Sequence, residues 1–126
     1  MASSYTYVYN PGAADRPLAW VGASLSAVRG FPPEARREAG YQLRRVQKGL
    51  MPNDWKPMPS VGAGVVEVRI HGRLEHRVLY IAKFEEAIYV LHAFEKKSRR
   101  TRKTDVDLAR SRLKDVAALR RGKKEQ

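Results

Sequence analysis

The chain has 126 residues, 43% hydrophobic and 30% charged, a length and balance that suit one soluble globular domain and exclude wholesale disorder. Lys and Arg number 25 against 13 Asp and Glu, a formal charge of +12 that points to nucleic acid or an anionic surface as partner. Without cysteine there is no disulfide framework and no thiolate metal site, and no apolar run approaches the ~20 residues that cross a bilayer.

In chain order, residues 1–16 read as a partly ordered, turn-rich tail broken at Asn10-Pro11-Gly12. Tyr5, Tyr7 and Tyr9 alternate as a short strand would, but no apolar partner face accompanies them, so the tail reading is preferred. The opening residues carry no basic segment followed by an apolar core, so a secretory signal is not expected and the cytoplasm is the expected compartment. A single domain is expected over 17–119, followed by a solvated basic tail over 120–126.

Pro17–Gly22 is short, apolar and bounded by Pro and Gly, which predicts a strand. Ser24 is placed to cap a short helix that runs to Arg29 and stops at Gly30. Pro32-Pro33-Glu34 opens a longer helix, with Pro tolerated in the first turn and Glu matching the positive dipole end. Ala35, Ala39, Leu43, Val46 and Leu50 draw one apolar stripe along it, and Gly49 and Pro52 end it.

Asn53–Gly64, with two prolines and two glycines, reads as a loop. A three-strand meander follows over Val65–Ile70, His76–Lys83 and Ala87–Phe94. Finally, Thr104 can cap a last helix with Asp107 in the reciprocal position, and Val106, Ala109, Leu113 and Val116 line one side.

The charge is unevenly placed. Residues 95–126 hold 13 basic and 5 acidic side chains, so +8 of the +12 lies in the last quarter. Alternation in the first meander strand puts Val66, Val68 and Ile70 on one face, and Val65, Glu67 and Arg69 on the other. A turn centred near Arg73 sets Arg69 opposite Arg77, a repulsion worth up to ~1 kcal/mol that something must neutralise. Either Glu67 bridges the two, or a phosphate accepts their paired N–H groups.

Lys96 and Lys97 follow the last strand. A lysine pair there is ordinarily the solvated margin of a sheet. The six cations Lys96, Lys97, Arg99, Arg100, Arg102 and Lys103 argue instead for a nearby polyanion, with Lys83 as a further cation on the second meander strand. His92 shares its predicted face with Ile88, Val90 and Phe94, and Tyr80 lies among Val78 and Ala82, so both read first as core residues. No triad, phosphate-cradling glycine loop or paired-carboxylate site is present, and neither metal nor cofactor is expected.

Several local patterns are similar to the RelE/ParE superfamily of type II toxin–antitoxin toxins, in particular its phage-derived, HigB-like branch. They are Trp20-Val21-Gly22-Ala23-Ser24, Gly40-Tyr41-Gln42-Leu43 with Gln47-Lys48-Gly49, Glu67-Val68-Arg69, Arg77-Val78-Leu79-Tyr80, and Val90–Ser98 with its VLHAF-x-KKS sequence. The resemblance covers about residues 17–118. It implies an α+β fold of RelE type: two N-terminal helices on a small twisted antiparallel sheet (the three-strand meander plus the short N-terminal strand), then a C-terminal helix.

It also implies metal-independent cleavage of mRNA on translating ribosomes, and neutralisation by an antitoxin, often a helix-turn-helix protein encoded next door. The reaction would be attack of a ribose 2′-OH on the adjacent phosphate, which needs a base, an acid and cations for the charge building on phosphorus. By the resemblance Arg77 and Lys97 are the phosphate-stabilising cations and Arg69 belongs to the strand pattern. Glu67 is a candidate base, and His92 and Tyr80 are candidate acids. Val65 and Glu67 stand where RelE has lysines, and no counterpart of its tyrosine near the final helix is present. The alternatives are a ParE-like topoisomerase inhibitor and a non-catalytic nucleic-acid-binding module.

Overall fold

The computed structural model of the protein describes residues 5–8 and 15–124, with backbone alone for 5–8 and 124. Tyr9, the Asn10-Pro11-Gly12 breaker and the last two residues of the expected basic tail lie outside the described residues. The elements are β1 (Tyr5–Val8), β2 (Leu18–Val21), α1 (Ser24–Arg29), α2 (Pro33–Gln47), β3 (Trp55–Pro57), β4 (Val65–Ile70), β5 (His76–Ile81), β6 (Ile88–Glu95) and α3 (Lys103–Lys124). Among the described residues, no helix is long and apolar enough to cross a membrane.

The expected small antiparallel sheet is overturned. One mixed sheet of six strands runs in the order β1-β2-β6-β5-β4-β3. Its mixed character comes from β2, which pairs parallel to β6 as Leu18↔Ile88 through Trp20↔Val90, while the other pairs are antiparallel. A parallel pairing needs a long return connection, and here everything from α1 to β5 lies between the two strands. Nor do helices cover one side only: α1 and α2 lie on one face, and α3 seals the other. A strand within the expected tail (β1) and a three-residue strand within the expected loop (β3) widen the sheet at both edges.

Local chemistry explains the helices. Pro33 starts α2 with its φ already helical, Glu34 sits in the first turn and Arg44 and Arg45 in the last, each suited to the dipole end it occupies. Ala39, Leu43 and Val46 are buried against the sheet. Burying one such side chain as large as Leu43 contributes about 2 kcal/mol. Gly49, at φ +87°, turns the chain out of α2. Leu50 therefore lies past the helix end and is exposed, not part of the stripe.

Ser24 does not cap α1; its buried hydroxyl donates to the Val90 carbonyl at 2.9 Å and fastens the helix to β6. The last helix starts at Lys103 and continues into the expected basic tail as far as Lys124. Asp107 is held by Lys103 at 2.8 Å. Arg120 pairs with Glu86 at 2.7 Å and lies 4.0 Å above the Phe84 ring, so the end of α3 is docked.

Beta6 carries a bulge. Leu79 pairs with His92 but Tyr80 pairs with Val90, which leaves Leu91 as an extra residue. Leu91 joins the core on the α3 side, and so does Phe94, whose ring stacks on His92 at 5.1 Å. His92 is thus separated from Ile88 and Val90, contrary to the expectation of a shared face. Its Nε2 is 2.7 Å from Asp105 of α3, while Arg112 donates to the Leu91 carbonyl at 2.8 Å and approaches His92 Nδ1 at 3.4 Å. Burial lowers the His92 pKa, and this arrangement fits a neutral ring with its proton on Nε2.

Candidate phosphate-binding site

The α3-side face of β4 and β5 gathers the charges. Glu67 and Arg69 alternate with the core residues Val66, Val68 and Ile70, and the register sets Arg69 directly opposite Arg77, as alternation and the turn position predict. Arg77 is nearly buried, and its Nη1 donates to Glu75 at 3.0 Å and to the His76 carbonyl at 2.9 Å. Arg69 faces Asp54 at 3.7 Å.

Glu67 is fully buried beneath this pair. One of its oxygens lies 3.7 Å from Arg77 Nε and 3.9 Å from Lys56 Nζ; the other accepts the Thr101 hydroxyl at 2.8 Å. The bridging carboxylate is therefore present, and it also hooks the basic segment after β6 onto the sheet. Lys96 completes the group: burial, and then the charges of Arg77, Lys56 and Arg69, lower its pKa, while Glu67 acts in the opposite direction.

The network leaves donors over. Nε of Arg69 and Nε of Arg77 are buried and hydrogen-bonded to nothing in the protein, and Glu67 Oε1 likewise. Buried polar groups are almost always paired; here Arg77 Nε and Glu67 Oε1 meet only as an ion pair at 3.7 Å, and Arg69 Nε is left over as a donor beside them. Four cations (Lys56, Arg69, Arg77, Lys96) face three carboxylates (Asp54, Glu67, Glu75), so positive charge remains for an anion.

His71 ties the carboxylates together. Its Nε2 meets Asp54, and its Nδ1 lies 2.8 Å from Glu75, the same oxygen that accepts from Arg77. The hydrogen bond to Asp54 raises the His71 pKa, with Glu75 adding to it, and lowers that of Asp54. His71 is exposed and shares its carboxylate partners with the arginines, Asp54 with Arg69 and Glu75 with Arg77. The alternation pattern carried no hint of it, because Asp54 comes from a segment read as loop and Glu75 from a turn. The one available signal was the four-residue spacing of His71 and Glu75 across that turn.

The remaining expected site residues lie elsewhere. Tyr80 is buried in the core on the α2 side, the opposite face from Arg69 and Arg77, and burial pushes its hydroxyl up to about 12. His92 is buried against α3 with Asp105. Lys83 sits past the far end of β5, over the Phe84 ring. Lys97, Arg99, Arg100 and Arg102 are exposed and pair with no carboxylate among the described residues, forming a basic rim beside the cluster; Lys103 is held by Asp107.

A groove of about 650 Å³ opens at the same end of β4 and β5, between the start of α2 and the β4–β5 turn, with Pro32, Pro33, Leu74, His71 and His76 in its lining. The family described as "Phage derived protein Gp49-like (DUF891)" matches residues 26–114, which cover the end of α1, α2, the cluster and the first half of α3. No curated protein matches the chain.

Proposed function

Because the chain belongs to the Gp49-like phage-derived family, we propose that it is a toxin-like protein that holds RNA through its backbone phosphates and cuts it without a metal. The observation that carries this reading is the convergence of Arg69, Arg77 and Lys96 on one face, with the buried Arg69 Nε left over as a donor. The resemblance to RelE/ParE toxins points the same way. A phosphodiester seated there would lie against two guanidinium edges, the geometry that suits its paired oxygens.

In the cleavage reaction the 2′-hydroxyl gives its proton to a solvent water as its oxygen attacks the adjacent phosphorus and the bond to the 5′-oxygen breaks, giving a 2′,3′-cyclic phosphate and a 5′-hydroxyl. The cations stabilise the added negative charge on the phosphoryl oxygens. The accessible His71, held at both ring nitrogens by Asp54 and Glu75, releases one of those hydrogen bonds to supply the proton to the departing 5′-oxygen. The basic rim from Lys97 to Arg102 extends the grip along the strand. Translated mRNA is the expected substrate, and an antitoxin encoded alongside is the expected neutralising partner.

A second reading, RNA binding without cleavage, is favoured by one observation: Tyr80 and His92, the expected proton donors, are both buried away from the arginines. One experiment separates the two. Purified protein is incubated with end-labelled single-stranded RNA and with translating ribosomes, and compared with Arg69→Gln/Lys96→Gln and His71→Gln. Breaks that fall about 10²- to 10³-fold in the first variant and are lost in the second support cleavage. Retained RNA binding with no breaks in the wild type supports the binding reading. Breaks undiminished in Arg69→Gln/Lys96→Gln refute the site.

A further inference from the structure

The groove beside the cluster has features that the phosphate site does not use. Its lining is largely apolar, with Pro32, Pro33 and Leu74, and it also carries the carboxylate Glu34 and the exposed Arg37 and Arg73, neither arginine having an ion-pair partner among the described residues. His76 lines it, is 2% exposed, and its Nδ1 has no hydrogen-bond partner. The ring is braced by Phe31 at 4.4 Å, so the imidazole edge is fixed in place. No side chain caps the first turn of α2, which opens onto the same space.

We propose that this groove receives one unstacked nucleobase of the RNA whose backbone lies on the Arg69/Arg77/Lys96 face, with the imidazole edge of His76 reading the base. The inference rests on the RNA-binding reading above. Apolar lining with one buried polar atom suits a base, which presents an apolar face and a hydrogen-bonding edge. The volume of about 650 Å³ leaves room for base and ribose. Arg37 and Arg73 then meet the flanking phosphates.

Continuity with the cluster is built in. His76 and Arg77 are neighbours on opposite faces of β5, and the Glu75 carboxylate joins Arg77 to His71, which also lines the groove. A strand held on the α3-side face therefore needs only to turn round the end of β4 and β5 to insert its next base.

The test is a binding titration of the full chain with a fluorescein-labelled single-stranded RNA hexamer. It is compared with hexamers carrying one abasic residue at each position in turn, at fixed salt. The expected result is about tenfold weaker binding for an abasic residue at one position, equivalent to ~1.4 kcal/mol. Leu74→Ser, an exposed substitution, should bring the intact hexamer down to that level without changing abasic binding. His76→Phe should do the same if it folds. Arg69→Gln should weaken all hexamers alike. If Leu74→Ser binds every hexamer as the wild type does, the base site is overturned while the phosphate site stands, and the groove is left for a polypeptide. If the wild type binds no hexamer, both readings fall.

Discussion

Replacing Glu67 with Gln removes one negative charge from beneath the cation cluster and keeps the shape and the acceptor for the Thr101 hydroxyl. The carboxylate is fully buried, 3.7 Å from Arg77 and 3.9 Å from the half-exposed Lys56. At an effective dielectric near 20, the Arg77 attraction alone is about 4–5 kcal/mol before desolvation is counted. Burial offsets part of that for the intact pair; removing one partner of a buried pair typically costs about 3–5 kcal/mol, and here Arg77 keeps its contact with Glu75 at 3.0 Å. Since the Thr101 hydrogen bond survives, the lower end applies: a loss of ~3 kcal/mol, or roughly 10 °C in Tm for a domain of this size. Inorganic phosphate or an RNA oligomer should recover more stability in the variant than in the wild type, because it supplies the missing charge. Saturation at a hundred times Kd is worth about 2.7 kcal/mol. Thermal denaturation of both proteins, with and without phosphate, measures this. A midpoint unchanged by the substitution, or one equally responsive to phosphate in both proteins, would refute the view that Glu67 is a counter-charge standing beneath an anion site.

Two further outcomes follow from packing. Gly22 has φ +56°, and a Cβ there would stand 2.6 Å from Arg112 Nε. Gly22→Ala should cost about 1–2 kcal/mol for the left-handed backbone, plus the cost of displacing Arg112 from the Leu91 carbonyl. Urea denaturation of Gly22→Ala, Arg112→Ala and the double variant should give a less than additive loss, and strict additivity would contradict the contact. Tyr80, with its hydroxyl pushed up to about 12 from an ordinary 10.0, keeps its proton in the folded protein where the unfolded chain releases it. Stability is then fully present below pH 10.0 and lost as pH rises toward about 12, by ~3 kcal/mol. Tyr80→Phe should flatten that alkaline arm in a plot of denaturation midpoint against pH; parallel curves would show the hydroxyl is solvated.

How much of this was legible in the chain depended on the range of the interaction. The α2 stripe through Ala39, Leu43 and Val46, the bounds of β4 and the opposition of Arg69 and Arg77 all follow from local periodicity and turn length, and the structure has them. What periodicity could not supply was pairing at a distance. Beta3 is three residues long and contains a proline, so only its partner β4 makes it a strand. The parallel seating of β2 beside β6 is likewise fixed by tertiary packing and not by either strand's own sequence.

The site divides in the same way. Glu67 was visible as a neutraliser because it shares a strand with Arg69. Lys56, Asp54 and His71 reach the cluster from segments with no periodic signal. His92 was assigned to the wrong face because strict alternation assumes an uninterrupted ladder, and the extra residue Leu91 breaks it.

That single unpaired residue also decides which lysine meets the arginines. Beyond it, every side chain of β6 is out of phase with those before it, so Ala93 turns toward α2, Phe94 toward α3, and Lys96, whose amide still pairs with the Glu75 carbonyl at 2.7 Å, comes in beside Arg77. With Leu91 paired in an unbroken ladder the inward position would have fallen to Lys97. Deleting Leu91 would remove the bulge and keep His92, Phe94 and Lys96 on the α3 side, so the same ammonium group would still lie beside Arg77.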